Sequence, residues 1–410
     1  MCWKRHWLCI VAALLLVSSV CVQDSIGADK IRVLLTGRVS RNFLIATWFM
    51  TEPMVDPLFV PSRALPLSQI RKYVRIYFPR TYRDVRKQDF FIFAGTIMNM
   101  FSPKQQKWMR DAIHDGSGGL NSRSMLSGIY YPEWANSFTQ QAFPNDVDAL
   151  MRVGKIYRSG QDVTIILEDR PDLPPVLTMF KDKKIQWHLT DYSCALVIPR
   201  PGATVWSWIK GPFADYATVK PGCTPHVISW RYGNGTTWTT HDRLVNWWED
   251  PVANPYGMDM IMNMILYSTG RRLPDDIDVV HEIRSKISEY RTREMLLMAT
   301  VEFAESFGAN MNPILRRLGE ITDERKEAEE LYLEQEYLGA RDRYDAIIGE
   351  IQQLSADAIR RKDRAMVWVH VIQWLTVSGT SMFAGFVLWT LMIRRRLYRQ
   401  VGTTRFAGLR

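Results

Sequence analysis

The residues best suited to chemistry in this 410-residue chain lie in two short stretches. Asn121 to Gly128 reads NSRSMLSG and follows the pair Gly118-Gly119, so Ser122 and Ser124 come just after a Gly-rich turn, where a nucleophile can be presented. His241-Asp242 follows a strand-like run, with Glu249 a few residues beyond. His241 as general base, oriented by Asp242 or Glu249, would activate either serine in an esterase-type triad if the fold brought them within hydrogen-bond reach. Against this, the chain has no G-x-S-x-G, and serines after such turns commonly bond local backbone. Arg123 in the same loop, beside Gly118 and Gly119, would hold an anionic ligand; the alternative is a solvated or salt-bridged arginine.

Other clusters point away from cofactors. The seven histidines (His6, His114, His188, His226, His241, His281 and His370) show no metal-binding spacing. The acid-rich run from Gly319 to Tyr337 lacks the glycine and ligand spacing of a calcium loop and reads as a solvated helix face. No metal or other cofactor is expected. Of five cysteines, Cys2, Cys9 and Cys21 fall within the first 28 residues, leaving Cys194 and Cys223 either as a disulfide in an oxidising compartment or as two buried thiols. Asn234-Gly235-Thr236 is a glycosylation sequon. Trp206, Trp208, Trp230, Trp238, Trp247 and Trp248 would line a carbohydrate cleft or fill a core.

The elements that must position these residues follow from periodicity. Ile31 to Leu35 and Pro57 to Val60 read as strands, as does Asp89 to Phe93. Ser102 and Pro103 look like the cap and first residue of a helix ending near Gly116, after which Gly118 and Gly119 lead into Leu120. Strand, capped helix, glycine turn and strand form a βαβ pattern, which implies a parallel sheet covered by helices. Further strands are expected at Val163 to Leu167, Ala195 to Ile198, Thr204 to Trp208 and His226 to Trp230, then a turn and strand in YGNGTTW and a helix from Met258 to Tyr267.

Several of these runs taken together resemble the class I glutamine amidotransferase-like domains, particularly catalytically incomplete versions in exported or membrane-anchored proteins. The likeness rests on DFFIFAG from Asp89 to Gly95, SPKQQKWMRDAIHDGSGGL from Ser102 to Leu120, FPND at Phe143 to Asp146, PRPGATV at Pro199 to Val205, and PHVISWRYGNGTTW. The resemblance implies a flavodoxin-like α/β domain with a parallel sheet over residues 29–272. Active members carry a cysteine nucleophile with a histidine and a carboxylate; Asn121 to Gly128 contains no cysteine, and the His-x-Glu spacing is absent, so glutamine hydrolysis is not expected.

Beyond Pro274 the pattern turns helical. Val279, Ile283 and Ile287 sit four apart, Gly308 to Pro313 breaks the first helix, and later helices hinge near Gly339, so residues 273–365 read as a helical stalk. From Trp368 to Ile393, 26 residues carry no charge, and Arg394, Arg395 and Arg396 follow. A helix of roughly 39 Å crosses a ~30 Å hydrocarbon core with some tilt, so residues 366–393 are expected to span a membrane. Residues 1–28 combine Lys4, Arg5 and His6 with an apolar run and read as a signal peptide, which with the basic tail 394–410 places the folded part outside the cytoplasm.

Charge supports the same topology. Of the formal +9, the first 28 residues contribute +1 and the last 17 contribute +6, which leaves +2 for the rest and argues against nucleic acid as a partner. Membrane lipid and other envelope or membrane proteins are the expected partners. Ser381-x-x-x-Gly385 and Thr380-x-x-x-Ala384 would allow a homodimer through the membrane helix. The sequence therefore leads to a non-catalytic binding or scaffolding protein, with an exported serine hydrolase or a membrane-complex subunit or signal transmitter as alternatives.

Overall fold

The computed structural model describes residues 29–39, 44–122, 132–149, 157–211, 220, 222–244 and 247–406. The expected signal peptide, Arg123 and Ser124 lie outside these residues. The chain forms two compact units, Met1–Ile287 with Ala328–Asp342, and Ser288–Glu327 with Arg343–Arg410.

The first unit is built on a nine-stranded sheet of β1 (Ile31–Gly37), β2 (Val55–Pro61), β3 (Phe90–Ala94), β4 (Gly118–Asn121), β5 (Tyr157–Leu167), β6 (His188–Ala195), β7 (Thr204–Lys210), β8 (Cys223–Tyr232) and β9 (Gly235–Thr240). Their spatial order is β2-β1-β3-β4-β9-β8-β7-β5-β6. The neighbours from β2 to β9 run parallel, whereas β9-β8, β8-β7, β7-β5 and β5-β6 are antiparallel. The expected flavodoxin-like parallel sheet of the glutamine amidotransferase type is thus overturned: the sheet is mixed. The physical reason is the connection lengths. A parallel pair needs a crossover of a dozen or more residues, but β8 and β9 are joined by Gly233 and Asn234 alone, and a two-residue turn admits only a hairpin.

The central parallel strands β1 and β3 are buried along almost their whole length, as strands inside an α/β sheet are. All five residues of β3 are buried, and six of seven in β1. Three helices follow in this half, α1 (Leu44–Thr51), α2 (Leu67–Tyr77) and α3 (Tyr82–Val85), then α4 (Pro103–His114). At α4 the Ser102 hydroxyl accepts from the Gln105 backbone and the Gln105 side chain accepts from Ser102 N–H, forming a capping box that satisfies donors the helix cannot bond itself. After the short α5 (Pro132–Ala135), α6 (Gly257–Ser268) buries ten of its twelve residues, which explains a composition apolar almost all round.

In the second unit the helices α7 (Ile277–Ser306, from Ser288), α8 (Asn312–Leu333, to Glu327) and α9 (Tyr337–Phe406, from Arg343) run in succession. Their buried residues recur every three or four positions: Leu297, Val301 and Ala304 on α7, Ile314, Leu318 and Ile321 on α8, and Ile347, Ile351, Leu354 and Ala358 on α9. One apolar stripe per helix therefore builds this core. Gly308, at φ +78°, closes α7 in the left-handed conformation that only glycine adopts cheaply. Helix α9 runs without a break through the charge-free stretch, where large side chains such as Trp374, Leu375, Met382 and Phe383 are all exposed. It is long and apolar enough to cross a membrane.

Candidate functional site

The carboxyl ends of the parallel strands are where open α/β sheets hold ligands, and they carry most of the residues nominated above. Gly37 ends β1 at φ +117°; a Cβ there would lie 2.2 Å from the Ala94 carbonyl oxygen, so glycine is dictated by the close approach of β3. Around it, the Thr36 and Ser62 hydroxyls are 2.9 Å apart, Thr96 Oγ1 donates to the Thr36 carbonyl at 3.0 Å, and Arg63 donates to the Gly95 carbonyl at 3.0 Å.

The nominated triad does not assemble as an exposed site. Ser122 is buried and its hydroxyl donates to the Phe93 carbonyl at 3.3 Å, a bond to neighbouring backbone. His241 is fully buried, and burial together with the nearby His226 pushes its pKa well below the ordinary histidine value. Glu249 is not its orienter: the carboxylate accepts from the Ile45 N–H at 2.8 Å and so caps the start of α1. Burial raises the Glu249 pKa, while the N–H groups of Ile45 and Leu44 and the charge of Arg38 work in the opposite direction.

Asp242 belongs to a different cluster, which sequence reasoning missed. Its Oδ1 accepts from Trp248 Nε1 at 2.8 Å and lies 3.4 Å from His226 Nε2; the other face of the ring meets Ser207 Oγ at 3.0 Å from Nδ1. Ser207, His226 and Asp242 thus stand in line. Two facts separate them from a hydrolase triad. The serine is on Nδ1 and the carboxylate on Nε2, the reverse of the serine protease arrangement, and none of the three is more than 1% exposed. Trp247 and Trp248 flank the imidazole, with ring centroids 5.8 and 5.9 Å away. Because Ser207, His226 and Asp242 lie on separate elements of the antiparallel half and its exit, no spacing in the sequence could have linked them.

The remaining nominations resolve into packing. A Cβ on Gly118 would meet the Phe90 ring at 2.4 Å and Ser268 at 2.8 Å, and one on Gly119 would meet Phe143 at 3.0 Å; these glycines make room for neighbours, not for a ligand. Cys223 is a free buried thiol, and Cys194 lies on β6, three strand positions away. At ~4.8 Å per strand that is about 14 Å, twice the reach of a disulfide, so of the two alternatives the bridge has no place in this sheet. Asn234 is exposed at the β8–β9 turn. Trp206, Trp238 and Tyr267 stack on one another with centroids 5.1 to 5.8 Å apart, and Trp206 and Trp238 donate to Ser229 and Ser268, so this part of the tryptophan set fills the core.

A second polar cluster carries formal charge. Arg284, in the first turns of α7, donates to Glu52 Oε2 at 2.9 Å, to the Tyr332 hydroxyl at 3.0 Å and to Asp259 Oδ1, while His281 Nδ1 lies 2.7 Å from Asp259 Oδ2. Burial opposes the charge of Arg284, but the oxygens of Tyr332, Glu52 and Asp259 overcome it and hold its pKa well above the ordinary arginine value. Burial likewise keeps the Tyr332 phenol protonated. Among the described residues no group of three or more metal-ligating side chains converges.

No protein-family model matches the chain, and no curated protein matches it. Solved structures similar to it include a cytoplasmic protein of Salmonella typhimurium LT2 (TM-score 0.42, 12% identity, 58% of this chain and 99% of that one). A second Salmonella typhimurium cytoplasmic protein has a TM-score of 0.39 at 13% identity, over 58% of this chain and 98% of the other. A GH42 β-galactosidase from G. stearothermophilus, as a catalytic mutant, reaches 0.31 at 12% identity, with 57% of this chain and 30% of that one aligned. Likeness at this level carries no inference about activity.

Proposed function

We propose that this protein is a membrane-anchored, outward-facing binding or scaffolding protein whose α/β unit works without covalent catalysis. The observation that carries the reading is the state of Ser122, His241 and Asp242. One hydroxyl is bonded to the Phe93 backbone, one imidazole is buried and held neutral, and one carboxylate is spent on Trp248 and His226. A nucleophile must reach its substrate and a base must accept a proton, and burial of this kind opposes both. The apolar run of α9 supports the anchor, and Arg394 to Arg396 support an inward-facing tail by the positive-inside rule. Membrane lipid and other envelope proteins are the partners this arrangement suits.

The test uses the full chain in detergent micelles, offered glutamine and a panel of activated esters and amides. No turnover is expected above a heat-treated control. Turnover abolished by Ser122→Ala or Ser124→Ala would instead establish the hydrolase alternative. Protease added outside intact cells should spare the arginine-rich tail; cleavage of the tail there would sink the orientation.

A reading as a complex subunit or signal transmitter has one observation of its own. Arg284 ties the opening turns of α7 to Glu52, just ahead of β2, and to Asp259 on α6, so a displacement of these elements would be felt at the root of the helix. Loss of a stoichiometric membrane partner on Arg284→Met, with the fold retained, would favour it.

A further inference from the structure

The mean charge of the exported part conceals a local excess. From Arg71 to Lys87 the chain carries seven basic residues and one acid, Asp84, a net of +6 in 17 residues. Arg71, Arg75 and Arg80, with Lys104 from the first turn of α4, line an open groove of about 680 Å³ between α2 and α4, floored by Phe78, Met100 and Trp108.

These four cations share one groove without a carboxylate to compensate them. Two basic residues later in the run do find acids: Arg86 lies 3.5 Å from Asp115 and Lys87 lies 2.9 Å from Asp84. Among the described residues Arg71, Arg75, Arg80 and Lys104 form no ion pair, and no carboxylate lines the groove. Arg71 and Arg75 are four apart on one helix face, where like charges repel, so the arrangement is disfavoured in the free protein and relieved by a counter-anion. The other polar groups offer little: Ser102 and Gln105 are spent on each other in the capping box. Recognition therefore falls to the guanidinium groups, whose forked donors match phosphate oxygens two at a time, with Trp108, already under Lys104 Nζ at 5.1 Å, as an apolar flank.

We propose that the groove between α2 and α4 is a binding site for a phosphate-bearing ligand, at least doubly charged, supplied either as a free phosphate compound or as an anionic lipid headgroup. This site is separate from the strand ends and stands or falls independently of the non-catalytic reading.

The experiment is titration of pyrophosphate into the full chain held in phosphatidylcholine nanodiscs at low ionic strength. Saturable binding is expected, weakened at least about tenfold by Arg71→Gln combined with Arg75→Gln, while Arg83→Gln, exposed and outside the groove, stays within about twofold of the parent. Circular dichroism of each variant checks that the fold is kept. A parallel arm measures capture of phosphatidylglycerol vesicles against phosphatidylcholine vesicles by the same nanodiscs. Binding of the vesicles alone, lost in the double variant, assigns the phosphate to lipid; pyrophosphate binding assigns it to a soluble ligand. Neither probe binding, binding undiminished in the double variant, or capture of polyglutamate in preference to both probes would overturn the proposal.

Discussion

The first unit buries two carboxylate clusters, and they are compensated in different ways. Around Arg284, Glu52 and Asp259 face a permanent cation whose donors reach both of them, with the Tyr332 hydroxyl as a third partner. Around His226, Asp242 receives one indole N–H and the edge of an imidazole, and its Oδ2 has no hydrogen-bond partner. The first is an ion network in which removal of one member strands the rest; the second joins one carboxylate to an indole and an imidazole and holds no permanent cation. The lesson is that burial alone does not mark a site: the cluster with the stronger electrostatics is the one that holds elements together.

Substitutions in the two clusters test this contrast directly. Arg284→Ala leaves Glu52 and Asp259 as uncompensated buried charges and should destabilise the chain by about 3–5 kcal/mol in urea unfolding followed by tryptophan fluorescence. Adding Glu52→Gln and Asp259→Asn should recover much of that loss. Asp242→Ala orphans the Trp248 indole N–H and should cost about 1–3 kcal/mol in the same assay. If Asp242→Ala proves the more damaging of the two, the contrast is wrong.

The pH dependence separates the clusters further. His241 has a folded pKa depressed well below its ordinary 6.5, so above pH 6.5 it is neutral in both states and contributes nothing. As pH falls below 6.5 the unfolded chain takes up a proton that the folded chain refuses, and stability is lost at up to about 1.4 kcal/mol per pH unit until the folded pKa is reached. His241→Gln should flatten that part of the unfolding midpoint against pH, whereas Arg284→Met should leave the His241 slope in place. The smallest effect serves as a surface reference. Ser102→Ala removes the exposed α4 cap and should cost about 1 kcal/mol, with melting temperature as the readout.

Where an element was legible, its signal was local. Ser102-Pro103 announced α4, Gly308 to Pro313 ended α7, and the uncharged run from Trp368 identified the continuous final helix, since capping, glycine conformation and hydropathy act over a few residues. The strongly amphipathic α2 passed unread because only Ile70 and Val74 of its apolar positions are buried, amid Arg71, Lys72 and Arg75. β6 was expected at Ala195 to Ile198 but covers His188–Ala195, where HLTDYSC mixes polar residues into the strand. The candidate site fared worse. Ser122 and His241 follow adjacent parallel strands as their positions suggested, yet the hydroxyl bonds to Phe93 and the imidazole is shut in, and a side chain's partners depend on contacts distant in the chain.

Sequence alone determined the αβ-then-helical order, the absence of a cysteine from Asn121 to Gly128, the uncharged run from Trp368 to Ile393 and the basic cluster from Arg71 to Lys87, because composition and short-range spacing carry those properties directly. Tertiary structure decided the rest. The antiparallel pairings of β9-β8, β8-β7, β7-β5 and β5-β6 make the sheet mixed, and only the packing of separate elements brings Ser207, His226 and Asp242 into line or sets Arg284 between Glu52 and Asp259. The physical reason is that pairing direction and burial are settled by which segments meet in space, and meetings across up to 232 residues leave no periodic trace in the chain.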